Sequence, residues 1–486
     1  MKASKTFTLN HFTLNLLTAC VSLAFAGMVQ AEEEAIPEYT FLESIKDGKQ
    51  MTNFRLRYEG VDQDSYQAAT PGAKKQDNAS ALTLRSLVGW QTAPYKNFSF
   101  GIQITDVHEF NDNFNDRREN EPEHNNGLAA ASLSKRKYPN IVDPGFTDIN
   151  QAFIDWTGIK NTRVRLGRQQ LNLDNVRFVG DIAFRQNMQV FDGVSILNKS
   201  VPDTEIFAAH FDQVRQITTE LRQGNIDLLN AKYRISPSEA ITGYGYFIDV
   251  ANLGQNNGNP LAISTAAQGG NGLGASQDSV PTATTDASSK TYGARLDGVR
   301  KIDDNWKVLY TAEYAKQTDY KGGSPLIDAH YYKLGGGAMY DVWSIRIDQE
   351  KLSSNDGKYA FQTPMGTNHL FQGWADHFLA TPRQGMVDTF VTVAGSIDKF
   401  KLYAEYHVFK ADEKYQSLGH TALNPNLGDK YGTEFDASVT YPFSDKLLGK
   451  MEYAKFNESD VYGTTLENAA RKGDKEMFWL TAMYTF

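Results

Sequence analysis

The sequence has almost no cysteine and no long apolar stretch beyond its N-terminal region, and both absences narrow the class of protein. The one cysteine among 486 residues is Cys20. We expect Cys20 to leave with a signal peptide, and a mature chain without cysteine suits passage through an oxidising periplasm in an unfolded state. A mean hydropathy of −0.48 with 22% charged residues excludes a bundle of membrane helices.

The chain also lacks an excess of positive charge, which argues against a nucleic-acid partner. Its 49 basic residues stand against 58 acidic ones. The predicted signal peptide carries two lysines and no acidic residue, so the mature chain has 47 against 58, a net charge of −11. This total does not reveal the sign of the charge that lines an internal passage.

The N-terminus has the parts of a secretory signal peptide. Two lysines precede an apolar stretch, and Val29-Gln30-Ala31 offers a cleavage site. We expect cleavage after Ala31, so that residues 1–31 form the signal peptide and residues 32–51 an acidic periplasmic lead. A lipoprotein cleavage site at Cys20 is the alternative, although the apolar stretch continues beyond it.

From residue 52 onward, apolar and polar residues alternate in segments of about ten, the length of a tilted membrane strand. The sequence therefore predicts an all-β protein, a transmembrane antiparallel β-barrel of about 18 strands over residues 52–486. An even number lets the first and last strands pair antiparallel and close the sheet. The predicted strands are 52–59, 81–91, 98–110, 148–157, 162–170, 190–198, 205–212, 227–235, 240–248, 290–298, 306–315, 330–338, 342–351, 387–395, 400–410, 432–441, 447–456 and 475–486.

The last predicted strand ends on an aromatic pair suited to a membrane interface. Phe486, Tyr484 and Leu480 share one side of this strand, whereas Trp479 and Thr481 share the other. This ending resembles the C-terminal signature of bacterial outer-membrane barrels. The alternative is a buried edge strand of a soluble β-sandwich.

The predicted connections alternate between short and long, as in outer-membrane barrels whose short turns face the periplasm. Four of the six tryptophans lie at short-turn ends of strands, where an interfacial girdle is expected: Trp90, Trp156, Trp306 and Trp343. Residues 249–289 are rich in glycine, asparagine and serine, so we expect a surface loop that the barrel does not need for folding.

Strand parity predicts a charged and therefore water-filled lumen. In the first strand Phe54, Leu56 and Tyr58 face lipid, whereas Arg55 and Arg57 point inward. The same rule turns further charged residues inward: Arg85, Asp155, Arg163, Arg165, Arg295 and Arg346. Basic residues dominate the early strands and acidic residues the later ones, so we expect a passage that prefers anions. For any single charge, neutralising a neighbouring charge is the alternative role.

Two blocks of sequence have a specific joint spacing. The first, residues 148–193, contains Gly167-Arg168-Gln169, Arg177-Phe178-Val179-Gly180 and Phe191-Asp192-Gly193. The second contains Phe361-Gln362-Thr363-Pro364 and Gly373-Trp374-Ala375-Asp376. Together they resemble the alginate export family of outer-membrane barrels over nearly the whole mature chain.

The resemblance implies an eighteen-stranded monomeric barrel with a narrow, arginine-rich passage for an anionic polysaccharide. It makes four residues of the first block candidates for the passage: Arg168, Gln169, Arg177 and Asp192. Arg168 has the parity of lipid-facing residues, so this role requires a bulge at Gly167. The chain has Gln186-Asn187-Met188 where a glycine-containing turn is expected in relatives, which leaves the solute open.

Trp374 and Asp376 fall in the predicted loop 352–386 and are candidates for a gate or a solute contact. The alternative is a loop that folds on itself, in which Trp374 ties the loop together and Asp376 caps it. The sequence leaves both interpretations open.

The leading hypothesis is a passive outer-membrane channel for anionic saccharides or polysaccharides. Arginine suits this task because its planar guanidinium binds carboxylates bidentately, while lumenal water keeps each contact weak enough to release. The alternatives are an uptake porin for small organic anions, a membrane-embedded enzyme and a non-conducting adhesin. An enzyme would need a nucleophile and a base, and His407 beside Glu405 has no evident serine or cysteine partner.

The expected surroundings follow from this hypothesis. We expect the outer membrane of a Gram-negative bacterium, with its lipid and lipopolysaccharide, the barrel-assembly machinery and an anionic sugar or polymer as partners. We expect a monomer, with no cofactor, no metal and no nucleic acid.

Overall fold

The structure, a computed structural model, contains a closed barrel of eighteen antiparallel strands. It describes residues 39–64, 76–116, 135, 137–251, 253, 286–416, 427–459 and 473–486. The predicted signal peptide 1–31 and most of the predicted loop 249–289 lie outside the described residues. Within the described ranges, no helix is long and apolar enough to cross a membrane.

Each barrel strand pairs with its neighbours in chain order, and the eighteen predicted strands are all present. The largest differences are at β8 and β15, which begin at residue 221 rather than 227 and end at residue 416 rather than 410. The strands are β1 (Asn53–Gln63), β2 (Ala79–Gln91), β3 (Phe98–Glu109), β4 (Phe146–Trp156), β5 (Thr162–Gln169), β6 (Val190–Asn198), β7 (Thr204–Arg215), β8 (Leu221–Ser236), β9 (Glu239–Asp249), β10 (Ser289–Lys301), β11 (Trp306–Asp319), β12 (Asp328–Tyr340), β13 (Trp343–Leu352), β14 (Met386–Ile397), β15 (Phe400–Gln416), β16 (Leu427–Pro442), β17 (Leu447–Glu458) and β18 (Lys475–Thr485).

Short elements complete the described structure. Helix α1 (Phe41–Lys46) begins with a capping box, because the Thr40 hydroxyl accepts from the Glu43 N–H and the Glu43 carboxylate accepts from the Thr40 N–H. Two residues, Lys49–Gln50, pair with the end of β2. A small hairpin and one 3₁₀ turn lie between β13 and β14: Ser354–Asn355 with Tyr359–Ala360, and Asn368–Leu370.

The barrel closes through β1 and β18, as predicted. Their register runs without a break from Asn53 opposite Thr485 to Gln63 opposite Lys475. Side-chain parity also follows the prediction: Leu56 is 42% exposed, whereas Arg57 is 3% exposed. Apolar residues thus face the lipid, and charged residues face the interior.

The four girdle tryptophans lie where the sequence places them. Trp156 ends β4, Trp306 begins β11, Trp343 begins β13 and Trp90 is one residue from the end of β2. All four are beside short connections, which identifies the periplasmic side of the barrel. Trp90 also fixes α1 at this side, because its indole N–H donates to the Ile45 carbonyl at 2.8 Å.

Two long connections turn into the barrel from the opposite side. We name residues 170–189 inner loop 1 and residues 353–385 inner loop 2. They join through a parallel bridge between Val179 and Met365, and the Gly180 N–H donates to the Met365 carbonyl at 2.9 Å. Inner loop 1 also inserts Phe178 among four aromatic rings of the lumen and of inner loop 2: Tyr244, Tyr246, Tyr331 and Phe361. The two loops therefore narrow the lumen as one packed unit.

Deleting Phe486 is expected to impair barrel assembly, because this residue extends the closing seam. Its N–H donates to the Thr52 carbonyl at 3.3 Å, and its ring packs edge-on against Phe54 with centroids 5.7 Å apart. The folded fraction can be measured by heat-modifiable electrophoretic migration. Phe443→Ala removes an exposed aromatic ring away from the seam and should leave that fraction unchanged. Normal assembly of the deletion variant would contradict this role.

Candidate functional site

A cluster of three buried arginines lines the interior wall of β1 and β2. Arg55 lies directly opposite Arg85 in the register of these strands, and Arg57 is one inward position further along β1. All three are at least nine-tenths buried. Like charges placed opposite each other across a strand pair are unfavourable, so this wall holds a concentration of positive charge. A Glu59 oxygen of the same strand lies 4.0 Å from Arg57 Nη1, beyond hydrogen-bond distance.

The hydrogen-bond partners of these arginines are neutral. Arg55 donates to the Gln186 side-chain oxygen at 2.9 Å and to the backbone carbonyls of Ala183 and Arg185. Arg85 donates to the Asn53 side-chain oxygen at 2.9 Å. Among the described residues, Nε and Nη1 of both Arg57 and Arg85 have no hydrogen-bond acceptor. The cluster therefore retains capacity to bind an anion.

Inner loop 1 covers this cluster. The Phe184 ring lies 4.3 Å from the Arg57 guanidinium and stacks on the His369 ring of inner loop 2. Gln186 anchors the loop, because its side-chain N–H donates to the Thr83 hydroxyl at 2.7 Å and its backbone N–H donates to Asp143 at 2.6 Å. The loop thus forms a constriction directly over the arginines.

Arg185 is the centre of the ion network that holds the two inner loops. Its guanidinium donates to both Glu59 carboxylate oxygens at 3.1 Å and to Asp376 at 2.8 Å. Asp376 also accepts from His369 at 2.8 Å. Burial alone would raise the pKa of the Asp376 carboxyl, but His369 and Arg185 outweigh burial and hold that pKa below its ordinary value.

Arg177, a predicted passage residue, instead clamps inner loop 1 to β13 and inner loop 2. It is fully buried, donates to Glu350 at 2.9 Å and to Gln372 at 2.9 Å, and reaches Thr363 and Asn368 at 3.3 Å. A guanidinium with these contacts has little capacity left for a solute. Its position in the structure is that of a structural clamp.

Trp374 and Asp376 are both buried inside the barrel. The Trp374 ring stacks on Tyr403 with centroids 5.4 Å apart, and the Trp374 backbone N–H donates to the Asp436 carboxylate of β16 at 3.2 Å. Inner loop 2 reaches β16 closely at Gly373, which has a φ of +80° and leaves no room for a Cβ atom, since that atom would be 2.3 Å from Glu434. This loop packs across the lumen onto other strands, so it does not simply fold on itself.

Several predicted lumenal charges are paired with carboxylates on the wall. Arg165 binds Asp155 bidentately at 2.6 and 2.8 Å. Arg346 binds Asp348 bidentately at 3.1 and 2.9 Å. Arg295 binds both Asp297 and Glu313. The Gln169 side-chain oxygen accepts from the Ser195 hydroxyl. Arg163 is half-buried on the same side of β5 as Arg165. These hydrogen-bonded pairs neutralise charge locally, whereas in the cluster on β1 and β2 Glu59 lies 4.0 Å from Arg57, beyond hydrogen-bond distance.

The bulge expected at Gly167 is absent, and Arg168 is not turned inward by it. The register of β5 is unbroken on both sides, and Arg168 keeps the parity of Leu166, which is 57% exposed. Gly167 takes a φ of +121° instead, which accommodates the close Ala152 carbonyl. Strands β4 and β5 pair over only five residues and then separate. The Arg168 guanidinium binds Asp192 and Asp148 at this point and fills the gap between the two strands.

Sequence reasoning missed the loop residues that build the constriction: Phe184, Arg185, Gln186, His369 and Gln372. Parity identifies strand residues only, because a loop has no fixed alternation. Gln186 belongs to the stretch Gln186-Asn187-Met188 that departs from the expected turn, and its side chain joins Arg55 to Thr83. That departure was the one available signal.

Comparison with known proteins agrees with this architecture. A model of the family described as Alginate export matches residues 50–473. OpdQ of Pseudomonas aeruginosa superimposes with a TM-score of 0.57 at 13% identity, over 92% of this chain and 99% of that protein. OccAB4 of Acinetobacter baumannii gives 0.58 at 10% identity, over 90% and 98%. OpdK of Pseudomonas aeruginosa, solved with vanillate, gives 0.57 at 12% identity, over 90% and 98%. No curated protein sequence matches significantly.

Replacing Arg185 by glutamine is expected to destabilise the barrel by roughly 3–5 kcal/mol, because it leaves the carboxylates of Glu59 and Asp376 buried without their cation. The free energy of unfolding can be measured by denaturant titration in lipid or detergent. Lys301→Gln is a matched control, since it removes an exposed pair with Asp304 worth about 0–1 kcal/mol. Equal small losses in both variants would show that Arg185 does not hold the loops.

Proposed function

The chain belongs to the alginate export family and is an outer-membrane channel of a Gram-negative bacterium, and we propose that it passively translocates anionic saccharides or an alginate-like polysaccharide. The observation that carries this proposal is the cluster of Arg55, Arg57 and Arg85, in which the guanidinium groups of Arg57 and Arg85 retain unused N–H donors under inner loop 1. A uronate chain presents carboxylates at regular intervals, which suits a concentrated positive wall.

Electrostatics favours an anion strongly at this wall. A unit charge about 4 Å from a carboxylate contributes up to ~4 kcal/mol at an effective dielectric near 20, against ~1 kcal/mol in bulk water. Arg55 and Arg85 lie opposite each other, so their fields add at the same place. The paired arginines elsewhere in the lumen contribute less, because a neighbouring carboxylate offsets each of them.

A solute must reach the cluster past inner loop 1. The loop holds Arg55 through neutral acceptors, the carbonyls of Ala183 and Arg185 and the amide oxygen of Gln186. Hydrogen bonds to a charged acceptor are roughly twice as strong as hydrogen bonds to a neutral one. A solute carboxylate can therefore replace these contacts with a gain in binding free energy, whereas a neutral or cationic solute has no such gain. The constriction would then admit anions selectively.

Uptake of small organic anions is the second candidate. OpdK, which shares the fold, was solved with vanillate, a small carboxylate. The arginine cluster would bind such a carboxylate by the same chemistry. The two candidate functions, translocation of saccharides and uptake of small organic anions, therefore differ in the length of the solute. We further propose that the protein is not an enzyme, that it functions as a monomer and that the barrel-assembly machinery inserts it.

The expected selectivity is for anions, and Arg57→Gln and Arg85→Gln should each shift the reversal potential under a salt gradient toward cations in planar bilayers. Each substitution removes a charge that has no carboxylate within hydrogen-bond distance among the described residues. Arg346→Gln is the matched control: it changes the lumen by the same charge at a site already paired with Asp348 and should shift the potential less. A wild-type channel that prefers cations would overturn the proposal.

The solute class is read from the same preparation. Oligouronates should block single-channel current at lower concentrations than an aromatic monocarboxylate if the channel carries saccharides, and the order should reverse if it takes up small organic anions. Substituting Arg165 and Arg168 instead would break the pairs with Asp155 and Asp192. Such variants would test the stability of the barrel wall and not the binding of a solute in the passage.

A further inference from the structure

A second charged cluster, of opposite sign, lies on the inward side of β14, β15 and β16. It contains His407 and four carboxylates: Asp388, Glu405, Glu434 and Asp436. In the strand register Glu405 lies opposite Asp436, and His407 lies opposite Glu434. All five side chains are more than nine-tenths buried. The cluster places four carboxyl groups around a single imidazole, an arrangement that a bound cation would stabilise.

The spacing of three of these side chains fits tetrahedral metal coordination. His407 Nε2 is 3.4 Å from a Glu405 oxygen and 3.6 Å from an Asp436 oxygen. Two ligand atoms that each lie about 2.1 Å from a zinc ion are about 3.4 Å apart at the tetrahedral angle. One donor atom from each of the three residues lies within 4.8 Å of the others. The three donors are therefore close enough to converge on one ion.

The contacts within this group are not those of ordinary hydrogen bonds. The Glu434 and Asp436 carboxyl groups face each other. Among the described residues, His407 Nε2 is buried without a hydrogen-bond partner, and Asp436 Oδ1 and Glu434 Oε2 are buried without an N–H donor or a hydroxyl donor. The Nε2 atom is close to two carboxylates but is not aligned to donate to either. Buried polar atoms without partners are costly, and a cation bound between them would remove that cost.

The surrounding residues orient the donors as they do around bound metals. His407 Nδ1 contacts Asp388 at 2.9 Å, which fixes the tautomer with the proton on Nδ1 and turns the Nε2 lone pair toward Glu405 and Asp436. The Glu405 carboxylate accepts from the Thr392 hydroxyl at 2.7 Å and from the Tyr403 hydroxyl. A carboxylate–histidine–metal arrangement uses this pattern of supporting hydrogen bonds.

We propose that Glu405, His407 and Asp436 form a binding site for a divalent transition metal, with zinc as the best fit. An imidazole donor excludes calcium and magnesium as preferred ions, because both take oxygen ligands almost entirely. Three protein ligands leave one position of the tetrahedron open, and Glu434 lies beside it on β16. From the sequence we expect no metal. The strand register, and not spacing along the chain, brings these three donors together.

The site is connected to the constriction through inner loop 2. The backbone N–H of Trp374 donates to the Asp436 carboxylate, and the backbone N–H of Ala375 donates to the Glu434 carboxylate at 2.5 Å. A metal bound by Asp436 would therefore fix the position of the carboxylate that accepts the Trp374 hydrogen bond. The site would thus stabilise the inner loops and not only the barrel wall.

The test uses the folded full-length barrel in detergent, treated with a chelator, incubated with Zn²⁺ and desalted. Stoichiometric zinc is expected in the wild type by elemental analysis, and Co²⁺ should give the intense visible absorption of a tetrahedral site. His407→Gln and Asp436→Asn should each lose stoichiometric metal. Asp388→Asn, which keeps an acceptor for Nδ1 but no charge, should weaken zinc binding by about 10–100-fold in competition with a chromophoric chelator.

His330→Gln is the matched control, because His330 is an exposed histidine on β12 outside the cluster, and it should bind as much zinc as the wild type. Heat-modifiable migration reports whether each variant has folded. Wild-type protein without retained zinc would overturn the proposal even if a variant fails to fold. Equal zinc in folded wild type and His407→Gln would overturn it as well.

Discussion

The structure depends on one constraint, that no backbone N–H or carbonyl group can stay unpaired in hydrocarbon. The pairing of β1 with β18 satisfies it by removing the open edges of the sheet. Closure then forces every strand to present one side to lipid and the other to an enclosed interior. Apolar residues such as Leu56 lie on the first side and charged residues such as Arg57 on the second. The polar lumen is thus a consequence of closure and not an independent feature.

A narrow interior with many charges must neutralise most of them. Arg165, Arg177, Arg295 and Arg346 each bind a carboxylate, and Arg185 binds two across the inner loops. Two groups depart from this pattern: Arg55 and Arg85 of β1 and β2, whose hydrogen bonds go to neutral groups, and the carboxylates around His407 on β14 to β16. Buried like charges are costly, and proteins retain them mainly where they bind something. We therefore propose these two places as the binding sites for a solute anion and for a cation.

The candidate site was partly accessible from sequence. Parity places Arg55, Arg57 and Arg85 inside, and these became the core of the site. Parity does not say which lumenal arginines have carboxylate partners. The partner of Arg165 is Asp155 on β4, ten residues back across a turn, and the partner of Arg177 is Glu350 on β13. The bulge expected at Gly167 is absent. Gly167 adopts a positive φ without changing the register, so Arg168 keeps the outward parity of its strand neighbours and fills the gap between β4 and β5.

The sequence by itself determined the strands, their number, the closing pair, the tryptophan girdle and the side of each strand that faces lipid. These follow from a period of two residues and from the chemistry of the bilayer, both of which are local or repeat along the chain. Only the tertiary structure decided how inner loops 1 and 2 enter the lumen, which arginines they cover and how Glu405, His407 and Asp436 meet. Loops have no period, and contacts between residues far apart in the chain depend on the strand register, so their partners become defined only when the barrel closes.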